Sequence, residues 1–302
     1  MLGRYRAAIA GTPWYALLLL FYAIPLVSIV FLSFLTLQED GPGLPLTLAN
    51  YAVVFDEGTG HFRVMLRTLS MGLAVVGLSA LIAVPIAYYL AKVVRSARAE
   101  IVILMLFAVP FLVGPLVRTV SWRGILGVNG LINVTLTKIG LIDQPILALL
   151  YGTMPMVLAM TYNVFPFLLF TVYLNLKVID DRLLQAARDL GATGWSAFWR
   201  VVVPLMVPGL VTGVVLVFVP TLSAILEPEM LGGVSGRMTS TAIRGEFFHT
   251  QNWPLGAALT LVFLCCGALA IGALGLAVAT AARWCGRLGL RQAALGRPEK
   301  VR

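Results

Sequence analysis

The 302-residue chain is 60% hydrophobic and only 12% charged, about half the roughly 25% usual in soluble domains. That excludes a water-exposed globular domain, and with it a soluble nucleic-acid binder in spite of the net charge of +9. Cys265 and Cys266 stand together in an apolar run with Cys285 just beyond it, an arrangement that argues against a disulfide scaffold.

A helix needs about 20 apolar residues to cross roughly 30 Å of hydrocarbon. Six uncharged stretches of that order follow one another: Trp14 to Leu37, Thr68 to Ala91, Ile101 to Val117, Ile146 to Leu176, Val201 to Leu226 and Trp253 to Ala282. The composition and these runs predict an all-α integral membrane protein with six transmembrane helices. The first run is about twice the roughly 7 to 15 residues of a signal-peptide core and has no small-residue cleavage site after it, so it is expected to remain as an anchor. The third is short, and the fourth and sixth are long enough to tilt or to extend past the bilayer. Between the third and fourth, Gly127 to Ile142 has helical apolar spacing broken by Gly130 and Gly140, which predicts an interfacial helix on the outer face. With the N-terminus inside, the inner segments hold 15 of the 22 Lys and Arg, beginning with Arg4 and Arg6 and ending with six in the tail. The positive-inside rule therefore puts both termini in the cytoplasm, and the basic excess is a topology signal before it is anything else. Contact with lipid headgroups is a secondary consequence.

The inner loop between the fourth and fifth stretches, IDDRLLQAARDLGATGWSAFWRVVVP, has a helical design of its own. Asp180 or Asp181 suits an N-cap, Leu183, Leu184, Ala187 and Leu190 recur on one face, and Gly191 sits at the expected stop. Thr193 suits the cap of a second helix running through Trp195, Phe198 and Trp199 toward Pro204. The small residues Ala186, Ala187, Gly191 and Ala192 leave the first helix little bulk. Either another protein's groove receives it, or it lies on the membrane surface as an amphipathic helix.

The polar content of the spans is sparse. No Asp, Glu, Lys, Arg or His falls well inside any of the six, which argues against a stand-alone secondary transporter built on buried carboxylates, the rival reading, and against a membrane hydrolase. His61 and His249 are far apart in outer segments and read as solvated loop residues, so no metal site and no catalytic residue is expected. Thr161, Tyr162 and Asn163, near the middle of the fourth span, either pack helices together or line a polar path. Thr221 and Ser223 near the end of the fifth are weaker path candidates. Glu227 and Glu229 in ILEPEMLGG either attract an ammonium group or are ordinary solvated carboxylates, and Gly232 and Gly233 suit a tight turn. Pro166, Pro204, Pro208 and Pro220 are placed to kink their helices. No Gly-x-x-x-x-Gly-Lys-Ser/Thr loop occurs and no Gly precedes a Lys, so this chain has no device of that kind for cradling ATP phosphates.

The spacing of Gln185-Ala186-Ala187, Asp189, Gly191-Ala192, Phe198, Pro204 and Pro208 resembles the EAA loop of ABC importer permeases. RTVSWRGILGVNGLINVTLTKIGLID upstream, and FVPTLSAILEPEMLGG with EFFHTQNWPLGAAL downstream, are similar to permease subunits of spermidine/putrescine-type importers. The likeness covers about Arg67 to Gly275. The family usually has Glu at the first motif position, where Gln185 keeps hydrogen bonding but loses a charge-assisted contact. The resemblance implies a type I ABC importer permease fold in the bacterial inner membrane, with a cytoplasmic coupling helix. Its Gln185, Ala186, Ala187, Asp189, Gly191 and Ala192 would dock on a separate ATPase. It further implies a second homologous permease subunit, normally a different chain, two ATPase subunits that bind ATP and Mg, and an outer-side solute-binding protein. This chain would itself carry no cofactor and no catalysis. The implied cargo is a polyamine or a similar small polar solute, alternatively another amine, an amino-acid-like compound or a phosphonate, passing Thr161, Tyr162, Asn163, Thr221, Ser223 and Glu227. The expected organisation is 1–66 for the tail, first helix and outer loop, 67–282 for the permease core, and 283–302 for a basic tail.

Overall fold

The computed structural model describes residue 17 and residues 19–39 and 41–295. Arg4 and Arg6, most of the start of the first expected span, and the last basic residues of the tail from Arg297 onward lie outside the described residues. In chain order the elements are α1 (Leu19–Ser33), strands β1 (Thr36–Gln38) and β2 (Gly41–Gly43), α2 (Ala49–Phe55), α3 (His61–Val93), α4 (Ala97–Leu112), α5 (Pro115–Leu126) and α6 (Leu131–Lys138). There follow α7 (Thr153–Val178), α8 (Asp181–Asp189), α9 (Gly194–Leu222), α10 (Leu226–Leu231), α11 (Thr239–Phe248) and α12 (Trp253–Leu295). They divide into two compact units, one of Met1–Arg67 with Met238–Cys266, the other of Thr68–Arg237 with Gly267–Arg302.

In the first unit, β1 and β2 pair antiparallel with Thr36 opposite Gly43. The Asn50 amide donates to the carbonyls of Ser33 (2.9 Å) and Leu35 (2.8 Å), groups that the end of α1 leaves without helical partners. The Ser33 and Tyr51 hydroxyls bond at 2.7 Å. Val54, Met65, Leu255, Ala258 and Leu259 form the core.

The second unit is organised around α7 and α9. Gly209 and Gly213 of α9 stand four apart, the spacing that lets membrane helices approach closely. A Cβ on Gly209 would lie 2.5 Å from the Asn175 Cβ and 2.9 Å from the Thr171 carbonyl oxygen of α7, and one on Gly213 would collide with the side chains of Leu168 and Thr171. On α7, Met156, Met160, Leu168, Leu169, Val172 and Leu176 are buried. Edge-to-face ring pairs tie α4 to α7, Phe107 to Phe165 at 5.8 Å and Phe111 to Phe167 at 4.9 Å, and another ties α3 to α9, Tyr88 to Phe198 at 5.0 Å. Pro204 offers no N–H to the carbonyl four residues before it, and α9 takes a π turn over Phe198–Val202 just there.

Four helical stretches are long and apolar enough to span a membrane: His61–Val93, Leu147–Val178, Gly194–Leu222 and Trp253–Thr280. They match four of the six expected spans. The third expected span, Ile101 to Val117, is not one straight helix. α4 ends at Leu112, the chain turns by 97°, and α5 leads away. Gly114, with ψ 148°, is extended because it precedes Pro115, whose ring disfavours helix at that position. The described part of the first, Leu19–Ser33, is shorter than a span. The fifth ends at Leu222 rather than Leu226, and the residues beyond form α10. α6 lies between Gly130 and Gly140, where the broken spacing predicts a helix.

Candidate functional site

The loop after α7 folds as its sequence predicts. Asp180 caps α8, its Oδ1 accepting from the Arg182 N–H at 2.9 Å, and Gly191 ends the helix at φ 84°, a left-handed conformation that costs glycine little. The Thr193 hydroxyl accepts from the Ser196 N–H at 3.3 Å to start α9. α8 is held to its own chain at one end and along one face. The Lys92 ammonium at the end of α3 has a side chain only 5% exposed and donates at 2.6 Å to both the Asp181 carboxylate and the Ile179 carbonyl. Leu184 is buried and Ala187 is half-buried on the same side, while Gln185, Ala186, Asp189 and Gly191 are exposed and Ala192 is half-buried. Around them Leu190 is 88% and Val178 86% exposed, and Trp195 is exposed as well. The exposed small residues Ala186 and Gly191 are thus turned outward, bordered by the exposed apolar side chains of Val178, Leu190 and Trp195.

A second constellation lies where α5, α7, α9 and α10 meet. A cavity of ≈ 530 Å³ is lined by Arg118 from α5, Asn163 from α7, Thr221 from α9, Ser223 just after it and Glu227 from α10, with Phe111, Met160, Phe167 and Ile225 among its apolar walls. Glu227 is 7% exposed and accepts from the Asn163 amide Nδ2 at 2.6 Å. Its position follows from the short helix that carries it. Leu231, one turn on and on the same face, packs with Leu126, Leu150 and Ala159, so anchoring that face turns Glu227 inward too. Arg118 is 9% exposed, lies 5.2 Å over the Phe111 ring, and reaches the Asn163 carbonyl at 3.4 Å through Nη1. Among the described residues its Nε and the Asn163 Oδ1 have no hydrogen-bond partner.

Of the residues named as path candidates, the structure brings Asn163, Thr221, Ser223 and Glu227 to this one cavity. Thr161 and Tyr162 are not part of it. Thr161 is buried with its hydroxyl turned back on the Val157 carbonyl at 2.7 Å, a helix-internal bond. Tyr162 packs edge-on against Trp122 at 5.8 Å and lines a neighbouring cavity of ≈ 440 Å³, which shares Arg118. Glu229 is exposed, whereas the solvated alternative fails for Glu227, which is nine-tenths buried. Gly232 ends α10 and Gly233, at φ 54°, makes the turn expected of that pair. Arg118 is the member that the sequence does not single out, because it stands just past the apolar run Ile101 to Val117. The signal available was Gly114-Pro115, which ends the straight helix and returns the following residues to the protein.

Comparison with known proteins gives three results. A family profile described as "Binding-protein-dependent transport system inner membrane component" matches residues 79–281. The chain is 32% identical over 248 residues to the spermidine/putrescine transport system permease protein PotB of Haemophilus influenzae, covering 81% of this chain and 84% of that one. It is 28% identical over 276 residues to the inner membrane ABC transporter permease protein YdcU of Escherichia coli, covering 86% and 85%. Among solved structures, a bacterial ABC transporter involved in the import of the acidic polysaccharide alginate superposes with a TM-score of 0.64, over 95% of this chain and 96% of that chain. At 16% identity this is a likeness of fold.

Proposed function

The chain belongs to the inner membrane components of binding-protein-dependent transport systems, and on that membership we propose that it forms half of the solute path of an ATP-driven importer for a polyamine or a similar small polar amine. It is a multi-pass inner-membrane protein of the type I ABC permease fold, a non-catalytic subunit that works with a partner permease, an ATPase and a periplasmic binding protein. In the proposed assembly the second permease is a homologous but different chain, and two ATPase subunits hold ATP and Mg. This chain crosses six times with both termini cytoplasmic. The 180–208 loop carries the coupling, with Gln185, Ala186, Ala187, Asp189, Gly191 and Ala192 toward the ATPase.

The observation that carries the coupling role is the outward, small-residue face of α8, whose opposite side is fixed to α3 by Lys92. A helix held this way transmits a push to the bundle rather than rolling under it. What supports an amine as cargo is the likeness to relatives named for spermidine and putrescine, together with a carboxylate turned into the cavity. Reconstitution tests the proposal. The chain with its partner permease, ATPase and binding protein should take up an amine solute, putrescine or 5-aminopentanoate, into liposomes only with ATP, and the chain alone should neither hydrolyse ATP nor move solute. Uptake by the chain alone on a proton or sodium gradient would replace this reading with a stand-alone carrier.

A further inference from the structure

Arg118 and Glu227 face one cavity, each about nine-tenths buried, and neither bonds the other. Opposite charges in a place of low dielectric attract strongly, and a buried pair that served only the fold would close on itself to recover its desolvation cost. Here each keeps capacity for something else. The Glu227 carboxylate receives one hydrogen bond, from Asn163, and has further acceptor positions. The Arg118 guanidinium makes one long bond through Nη1, and its Nε–H has no partner among the described residues. The Asn163 Oδ1 beside them is an acceptor with no donor among the described residues.

We infer that this cavity receives a solute with an ammonium group at one end and a carboxylate at the other. The ammonium would bind the Glu227 carboxylate and the Asn163 Oδ1, and the carboxylate would take the planar fork of Arg118, a geometry suited to two parallel N–H···O bonds. The apolar walls of Phe111, Met160, Phe167 and Ile225 suit a methylene chain between the two ends. A volume of ≈ 530 Å³ accommodates a compound of this size. A diamine would place its second cation against the buried Arg118, a like-charge contact that disfavours it. The inference rests on the importer reading and narrows its cargo from amines in general to zwitterionic amino-carboxylates.

Two probes of equal chain length separate the possibilities: 1,5-diaminopentane, and 5-aminopentanoate, in which one terminal aminomethyl group is replaced by a carboxylate. The first measurement is the thermal melt of the detergent-solubilised assembly of both permeases and the ATPase, without the binding protein, so that the permease's own preference is read. At millimolar concentration 5-aminopentanoate should raise the melting temperature of the wild type and the diamine should not. Arg118→Gln should remove the shift, and Glu227→Gln should weaken it. Should Arg118→Gln fold poorly, Arg118→Lys keeps the charge, loses the fork, and should reduce the apparent affinity several-fold. The second measurement is ATP-driven uptake of both probes by the complete assembly, where Arg118→Gln should depress 5-aminopentanoate uptake at least tenfold relative to the diamine. A wild-type melt that responds to the diamine alone, or a zwitterion shift undiminished in the Arg118 variants, overturns the inference. No ATP-driven uptake of any solute by the complete assembly would instead overturn the importer reading beneath it.

Discussion

The close approach of α9 to α7 makes a quantitative demand on Gly209. A Cβ there would stand 2.5 Å from the Asn175 Cβ and 2.9 Å from the Thr171 carbonyl oxygen, both well inside ordinary contact distance and neither on a side-chain tip that can rotate away. Gly209→Ala therefore forces the two helices apart, and overpacking of this kind costs about 1–3 kcal/mol. For a unit of this size roughly 2–4 °C of melting temperature is lost per kcal/mol, so a fall of about 2–12 °C is expected. Gly213→Ala should cost less, since its would-be Cβ meets chiefly the side-chain ends of Leu168 and Thr171 and stands 3.2 Å from the nearest backbone atom, the Leu168 Cα. Gly77 of α3 is the control: nothing lies within 4 Å of the position of its Cβ, and Ala is the better helix former by about 1 kcal/mol. Gly77→Ala should leave the melting temperature unchanged or raise it. The assay is the thermal melt of the purified chain in one detergent, followed by loss of monodisperse protein. If Gly209→Ala melts with Gly77→Ala or above it, the glycine pair is not what sets the approach of these helices.

Two further predictions concern the parts named from the sequence. Ala186 is exposed on α8 and Ala187 half-buried against its own chain, so Ala186→Trp is the cleaner test of docking. An overpacked contact weakened by about 1–3 kcal/mol lowers ATPase association by roughly 5- to 150-fold, with uptake falling alongside and membrane insertion intact. Gln185→Glu should be tolerated, and unchanged uptake with unchanged ATPase co-purification in Ala186→Trp would remove the coupling role. For topology, single cysteines at Glu57, Lys138 and Ser235 in a cysteine-free background should react with an impermeant thiol reagent in intact cells. Those at Ser96, Arg188 and Arg291 should not, and a reversed result at any of them would overturn the orientation.

What the sequence made legible was whatever one short stretch determines for itself. The caps Asp180 and Thr193, the stop at Gly191 and the limits of α6 at Gly130 and Gly140 are local events, settled by backbone preference and by a side chain reaching two or three residues along. Four apolar runs become long helices for the same reason. The bend at Gly114-Pro115 was equally local, but a window that counts apolar residues passes over a proline and scores Ile101 to Val117 as one stretch. The burial of Arg118 and Glu227 was not local. It depends on Leu231 packing with Leu126, Leu150 and Ala159, contacts between residues up to about a hundred positions apart, and one strand of text carries no sign of them.

The same packing joins the two constellations through one helix. Asn163, which holds the Glu227 carboxylate, sits in α7, and α7 runs unbroken to Val178. At a rise of about 1.5 Å per residue those two points are roughly 22 Å apart along the axis. Ile179 follows, its carbonyl fixed by Lys92, and Asp180 then caps α8. A displacement of α8 thus has a short, hydrogen-bonded route into α7, and Pro166, three residues beyond Asn163, is the place where that helix lacks a backbone bond and bends most easily. Movement of the α7 segment around Asn163 changes the one hydrogen bond that Glu227 receives and the carbonyl that Arg118 contacts. The residues proposed to meet the solute are therefore carried in part by the same helix that a push on the α8 surface would enter.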